Sequence, residues 1–317
     1  MRYLSCLLLL ALFSCASQPA KVVETESKPY QVSEENVIKT LSYLTSDELE
    51  GRDSGSEGIE KAAVFLEDLL KENGIKPYFK TYRDTLSNYD KPSYNVVGFL
   101  EGTDSKLKNE FVIIGAHYDH IGRIKAVNGD DIGNGANDNA SGTTAVTEVA
   151  KYFAKFRNNK RSVLFVFFSA EEKGLLGSKH LASKLKDQNM NLYFMFNFEM
   201  IGVPMEGKGM DFYLTGFGKT NMAAKMNEYA GEKLVGYLPI ETKYMLFRAS
   251  DNYPFFTDFN VPAQTVSTFD FENFEFYHQP DDEFELMDTK HMTKVISKII
   301  PVLEKMINAS EKEIKLN

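Results

Sequence analysis

The feature that most restricts what this chain can fold into is a set of short apolar runs separated by helical stretches. Residues 111–114 (Phe-Val-Ile-Ile) and 162–168 (Ser-Val-Leu-Phe-Val-Phe-Phe) are the clearest, and residues 192–198 and 263–266 are further candidates. Continuous runs, in contrast to the alternation of a half-exposed strand, suit strands covered by helices on both faces. Helical periodicity fills the intervals. It is carried by Val37, Ile38, Leu41 and Leu44 within residues 33–49, and by Ala62, Ala63, Leu66, Leu69 and Leu70 ahead of Gly74. Ala145, Val146, Val149, Ala150 and Phe153 mark another helix, and Met292, Val295, Ile296, Ile299 and Leu303 a last one, which Pro301 is expected to kink or restart. This alternation predicts an α/β fold, a three-layer sandwich with helices on both faces of a mixed, mostly parallel central sheet. Ligands of such sheets gather beyond the carboxyl ends of the strands.

Composition narrows the function. Apolar residues make up 43% and charged residues 26% of 317, ordinary values for a globular chain. Asp plus Glu number 45 against 36 Lys plus Arg, a net charge of −9, which argues against a nucleic-acid partner. The only cysteines are Cys6 and Cys15, so the remaining chain can build neither a disulfide framework nor a thiolate metal site. Arg2, the apolar stretch 7–13 and Leu12-Phe13-Ser14-Cys15 are far short of the ~20 residues of a membrane-spanning helix and read as a secretory signal over 1–14. The Cys after Leu-x-Ser resembles a bacterial lipobox, which implies a lipid anchor at Cys15 and a polar tether over 15–32. The expected location is the cell envelope of a bacterium, as an exported lipoprotein of the outer membrane facing the periplasm or the cell surface. Residues 33–317 are expected to be a single domain.

The chemistry lies where the runs end. The first finishes in Gly115-Ala116-His117-Tyr118-Asp119-His120 and the second in Ser169-Ala170-Glu171-Glu172-Lys173-Gly174. The third finishes in Asn197-Phe198-Glu199-Met200; a turn-rich loop carries Asn137-Asp138-Asn139, and Tyr277-His278-Gln279-Pro280-Asp281-Asp282 comes late. Taken singly, each residue has an ordinary reading: a satisfied histidine, a helix cap for Asp138, a solvated acidic pair for Glu171 and Glu172. His120, His180 and His291 keep that reading. Convergence of two His and several carboxylates on one end of one sheet is different, because like charges repel unless a cation lies between them. Imidazole mixed with carboxylate favours zinc, with manganese and cobalt as alternatives. The adjacent Glu-Glu pair lets one side chain bind metal while its neighbour reaches a water.

At these residues the sequence resembles the zinc aminopeptidases of metallopeptidase family 28. The resemblance runs from about Leu41 to the C-terminal helix and includes Ser46-Asp47-Glu48-Leu49-Glu50-Gly51-Arg52, the His-Tyr-Asp-His strand end, Asn137-Asp138-Asn139-Ala140-Ser141-Gly142, Ser169-Ala170-Glu171-Glu172-Lys173-Gly174-Leu175-Leu176-Gly177-Ser178 and Tyr277-His278. It implies a zinc peptidase catalytic domain over 33–317, with two zinc ions and peptide substrates that have a free N-terminus. His117 would bind one ion, Asp138 would bridge both, Glu172 and His278 would hold the second, and Glu199 would complete the first. Glu171 would be the general base and Asp119 would orient His117 from behind. Two positions depart from the family pattern: Glu199 stands where Asp is usual, and Asn252 of Arg248-Ala249-Ser250-Asp251-Asn252 stands where His is common. No chemistry is assigned to that second stretch.

Two alternatives share the fold. A single-zinc glutaminyl cyclase resembles the chain at His-Tyr-Asp, but those enzymes generally use Trp around the substrate and this chain has none. An inactive binding lipoprotein is the other, and it is disfavoured because every ligand position is still His or acidic. Phe255, Phe256, Phe269, Phe271, Phe274 and Phe276 crowd the approach to His278, with core favoured over pocket lining.

Overall fold

All four apolar runs become strands of one sheet. The computed structural model describes residues 31–317, which form one compact unit. The expected signal peptide at 1–14, Cys15 and most of the tether lie outside the described residues. Val32, the last residue of that expected tether, is already buried and donates its N–H to Ser297 Oγ at 3.0 Å.

The strands are β1 (Lys76–Pro77), β2 (Arg83–Thr85), β3 (Tyr94–Leu100), β4 (Phe111–His117), β5 (Gly122–Val127), β6 (Asp130–Gly133), β7 (Ser162–Phe168), β8 (Leu192–Glu199), β9 (Phe212–Leu214), β10 (Val235–Gly236) and β11 (Ala263–Ser267). The helices are α1 (Glu34–Leu44), α2 (Glu57–Glu72), α3 (Gly142–Phe156), α4 (Leu176–Asp187), α5 (Met222–Ala230), α6 (Pro239–Lys243), α7 (Asn252–Phe259) and α8 (Thr289–Asn308). The main sheet has the order β1-β3-β7-β4-β8-β11-β9-β10, with β2 paired to β3, while β5 and β6 form a separate hairpin. Its centre is parallel (β7, β4, β8, β11), and β3 and β9 join it antiparallel, so the sheet is mixed and mostly parallel as expected.

Alternation of side chains across the strands dictates the layers. On one face Ile113, Leu164, Val166 and Met195 meet Leu181 and Leu185 of α4 and Phe255 of α7. On the other, α3 lies against β4, β7 and β8, with α1 and α8 packed outside it. Every residue of β7 is buried, which is why its sequence shows no polar alternation.

Four local features differ from expectation. The helix expected over 33–49 ends at Leu44, because the next turn is a 3-10 segment bent by left-handed backbone at Glu50 (φ 46°) and Gly51 (φ 70°). Strand β3 and the β5–β6 hairpin lack a continuous apolar run, and their sequence shows no strand. Helix α8 runs unbroken through Pro301, and Val302, Leu303, Met306 and Ile307 beyond it are buried. Burial of four such side chains, at roughly 1.5–3 kcal/mol each, outweighs a proline cost of about 3 kcal/mol.

Candidate metal centre

The sheet delivers its polar residues to one edge. His117 is the last residue of β4 and pairs in register with Phe168 at the end of β7, so the turn carrying Glu171 and Glu172 begins beside it. Glu199 closes β8, opposite Ser267 of β11. Asp138 lies in the irregular turn that leads into α3, and His278 lies in the loop between β11 and α8. These are the carboxyl ends of parallel strands and the loops that follow them.

The expected ligand residues come together. His117 Nε2 is 2.8 Å from Glu199 Oε1 and 3.3 Å from Asp138 Oδ1. His278 Nε2 is 3.2 Å from Asp138 Oδ2 and 3.2 Å from Glu172 Oε2. The two oxygens of Asp138 therefore face opposite ways, each toward a different imidazole. One residue was missed in the sequence: His120, whose Nδ1 is 2.9 Å from Glu172 Oε1 and 3.9 Å from Asp138 Oδ2. Its only sequence signal was its place at the same strand end, three residues after His117. Among the described residues, two groups have donor atoms close enough to hold an ion: His117, Asp138 and Glu199, and His120, Asp138 and Glu172, each within 4.8 Å. Oxygen and imidazole donors in that proportion suit zinc, manganese or cobalt.

Charge explains why these side chains need one another. Burial opposes charge on His278, yet its contacts with Asp138 and Glu172 lift its pKa to about 10. Burial likewise opposes charge on Asp138 and Glu172, but the imidazoles hold both below the usual carboxylate range. Glu171 is the exception. Burial drives it well above its ordinary value, His117 offsets this in part, and Glu199, Asp251 and Glu172 add to it. A carboxyl whose proton affinity is raised by burial is a stronger base once ionised, suited to accept a proton and return it.

The supports differ from expectation at Asp119. The hydrogen bond to His117 Nδ1 is made by the Asp119 backbone carbonyl, at 3.1 Å, while the nearer carboxylate oxygen stands at 3.7 Å. The carboxylate instead accepts from the Glu171 N–H at 3.2 Å, and burial raises its pKa to about 6. Glu199 is held by the Ser250 hydroxyl, which donates to Oε2 at 2.7 Å. Ser250 is thus the member of the 248–252 stretch that touches the centre. Asn252 does not: its amide donates to the carbonyls of Phe247 and Ala263, and its oxygen accepts from Thr265 Oγ1. Asp282 accepts the N–H groups of Asn137 and Asp138 at 2.7 and 3.0 Å, fixing the backbone that carries Asp138.

The centre opens into a cleft whose apolar wall includes Met200, Leu246, Phe269, Phe271 and Tyr277. Phe269 and Phe271 thus border the cleft, whereas Phe255 and Phe274 are core.

The model of peptidase family M28 matches residues 95–303. The chain belongs to peptidase family M28. It is 32% identical over 187 residues to a probable leucine aminopeptidase 2 of Arthroderma benhamiae, an alignment covering 56% of this chain and 34% of that protein. The chain therefore spans about a third of the length of this curated relative. In shape it is similar to a zinc aminopeptidase from Bacillus subtilis (TM-score 0.66, 15% identity, 86% of this chain and 94% of the other). It is equally similar to the glutaminyl cyclase of Porphyromonas gingivalis (TM-score 0.67, 16% identity, 88% and 100%). These two likenesses establish the fold.

Proposed function

We propose that this M28 chain is a zinc-dependent aminopeptidase that removes N-terminal residues from peptides. The observation that carries the reading is Asp138, whose two oxygens face two separate imidazole–carboxylate groups with Glu171 at their side. His117, Asp138 and Glu199 would hold one ion, and Asp138, Glu172 and His278 the other, with His120 braced against Glu172. Bound there, such cations supply Lewis acidity toward a carbonyl and acidify water. Glu171 takes a proton from the attacking water and returns it to the amine nitrogen. The water oxygen bonds to the carbonyl carbon as the carbon–nitrogen bond breaks. The apolar wall of the cleft receives the first side chain of the peptide.

Glu171→Gln tests the base. Turnover is expected to fall by about 10²–10⁴-fold, the range of general acid–base catalysis, with metal still bound; near-normal hydrolysis would eliminate Glu171 from this role. The likeness to a glutaminyl cyclase supports a second reading, cyclisation of N-terminal Gln, opposed by the absence of Trp. Assaying a Gln-initiated peptide and a Leu amide on one sample, with the metal counted, separates the two. We also propose anchorage in the bacterial envelope through Cys15, supported by the Leu12-Phe13-Ser14-Cys15 segment. Cys15→Ala is expected to move the chain out of the membrane fraction, and unchanged partitioning would contradict it.

A further inference from the structure

We propose that the turn Arg52-Asp53-Ser54, which precedes the 95–303 segment matched by the family model, is a positioning element of the metal centre, tying together the three segments that carry His117, Asp138 and the Glu171-Glu172 pair. The proposal rests on the metallopeptidase reading above. The turn ends the Asp-Glu-Leu-Glu-Gly-Arg stretch, whose sequence signal the ligand chemistry left unused.

Arg52 is buried to 1% exposure, and each of its side-chain hydrogen bonds goes to a backbone carbonyl. Nε donates to Tyr118 at 2.8 Å, inside the strand end that bears His117 and His120. Nη1 donates to Asn134 at 2.7 Å and Nη2 to Gly135 at 3.0 Å, on the loop that enters Asp138. Nη1 also donates to Leu44, the end of α1. The Arg52 carbonyl in turn accepts the His120 N–H at 3.3 Å. One rigid, planar fork thus fixes the spacing between the two loops whose side chains must converge.

Ser54 does the same for the third loop. Its hydroxyl donates to Asp119 Oδ2 at 3.0 Å and accepts the Ala170 N–H at 2.9 Å, next to Glu171. Asp119 Oδ1 accepts the Glu171 N–H itself. Between them, Asp53 pairs with Lys173 Nζ at 2.6 Å, just past Glu172. The close approach requires Gly51: a Cβ there would lie 2.5 Å from the Gly133 carbonyl, and its φ of 70° is left-handed.

Burying a guanidinium carries a desolvation cost, and apolar packing could join the loops without it if register did not matter. Directional bonds to carbonyls of both ligand loops are what a positioning role requires. Lysine keeps the charge but presents a point ammonium in place of the fork.

The test compares wild type with Arg52→Lys and Ser54→Ala. It measures zinc affinity by competition with a chromophoric chelator, kcat and KM on an aminoacyl amide, and unfolding of the metal-free chain. Arg52→Lys is expected to weaken zinc binding by about 10-fold or more, the usual cost of losing a support behind a ligand. Ser54→Ala is expected to lower kcat by about 10-fold with KM and zinc affinity unchanged, because it acts through Asp119 on the base loop. Folded variants that differ from wild type only in unfolding temperature overturn the proposal. If Arg52→Lys does not fold, Ser54→Ala decides alone. A wild-type chain that binds zinc without cleaving the amide overturns the aminopeptidase reading only, and zinc affinity of Arg52→Lys then decides the positioning role. A wild-type chain that binds no divalent metal overturns both.

Discussion

The two halves of the proposed metal centre meet at Asp138 but rest on different supports. His117 and Glu199 end two neighbouring parallel strands in the middle of the sheet, and each has its second polar atom held, by the Asp119 carbonyl and the Ser250 hydroxyl. The His117 side chain is 1% exposed. His278 sits on a loop at a left-handed backbone position (φ 58°), is 37% exposed and lies stacked on Tyr277 with centroids 3.9 Å apart. A strand end inside a packed sheet fixes a side chain in advance, whereas a loop residue is ordered at entropic cost when it binds. The His117 half is therefore expected to bind its ion more tightly.

Substitutions break this asymmetry in graded ways. His117→Ala removes the imidazole proposed to hold the first ion, and should cost several kcal/mol of transition-state stabilisation, at least about 10³-fold in kcat/KM. Retention of a tenth of the activity would show that the half built on the sheet is dispensable.

Asp251 adds a burden on the His117 side. It is buried, neither oxygen has a hydrogen-bond partner, and the nearby Ser178 hydroxyl donates instead to the Leu175 carbonyl. Burial pushes its pKa up to about 7, against the pull of His117. The folded state thus holds a proton that the unfolded state releases near pH 4, so this group makes stability decline as pH rises from about 4 to 7. Asp251→Asn should stabilise the metal-free chain by an amount that widens over that window, to on the order of a few kcal/mol, and is constant above it. Parallel melting curves for both proteins from pH 5 to 8 would refute this.

His278→Ala should be milder than His117→Ala, about 10–100-fold in kcat, because His120 remains 2.9 Å from Glu172 and can donate in its place. His120→Ala combined with His278→Ala should then cost more than the product of the single effects. Simple multiplication would show that His120 gives no such cover. The smallest effect belongs to Tyr277→Leu. Losing an aromatic contact worth about 0.5–1.5 kcal/mol should weaken the second ion several-fold and leave the first unchanged. Equal weakening of both would remove the distinction.

How much of this was legible in sequence follows the same division. Strands β4, β7 and β8 announced themselves because both faces are buried, and their ends pointed to His117, Glu171, Glu172 and Glu199. Strand β3 did not, because its residues serve neighbours that only the fold brings near. Asn95 bonds Asp84, the Gly177 carbonyl and the Ser169 N–H, and a side chain at Gly98 would strike Leu70 and Ile75. His120 was hidden for the opposite reason: a second histidine in a motif already explained by the first adds no spacing signal. That the carbonyl of Asp119 and not its carboxylate meets His117 is a matter of rotamer and backbone path, which residue type does not encode.

Zinc titration of the metal-free chain, followed calorimetrically, tests the shared role of Asp138 most directly. Two equivalents per chain are expected with separable affinities, the tighter one abolished by His117→Ala and the weaker one by His278→Ala together with His120→Ala. A single equivalent, or none, would contradict it.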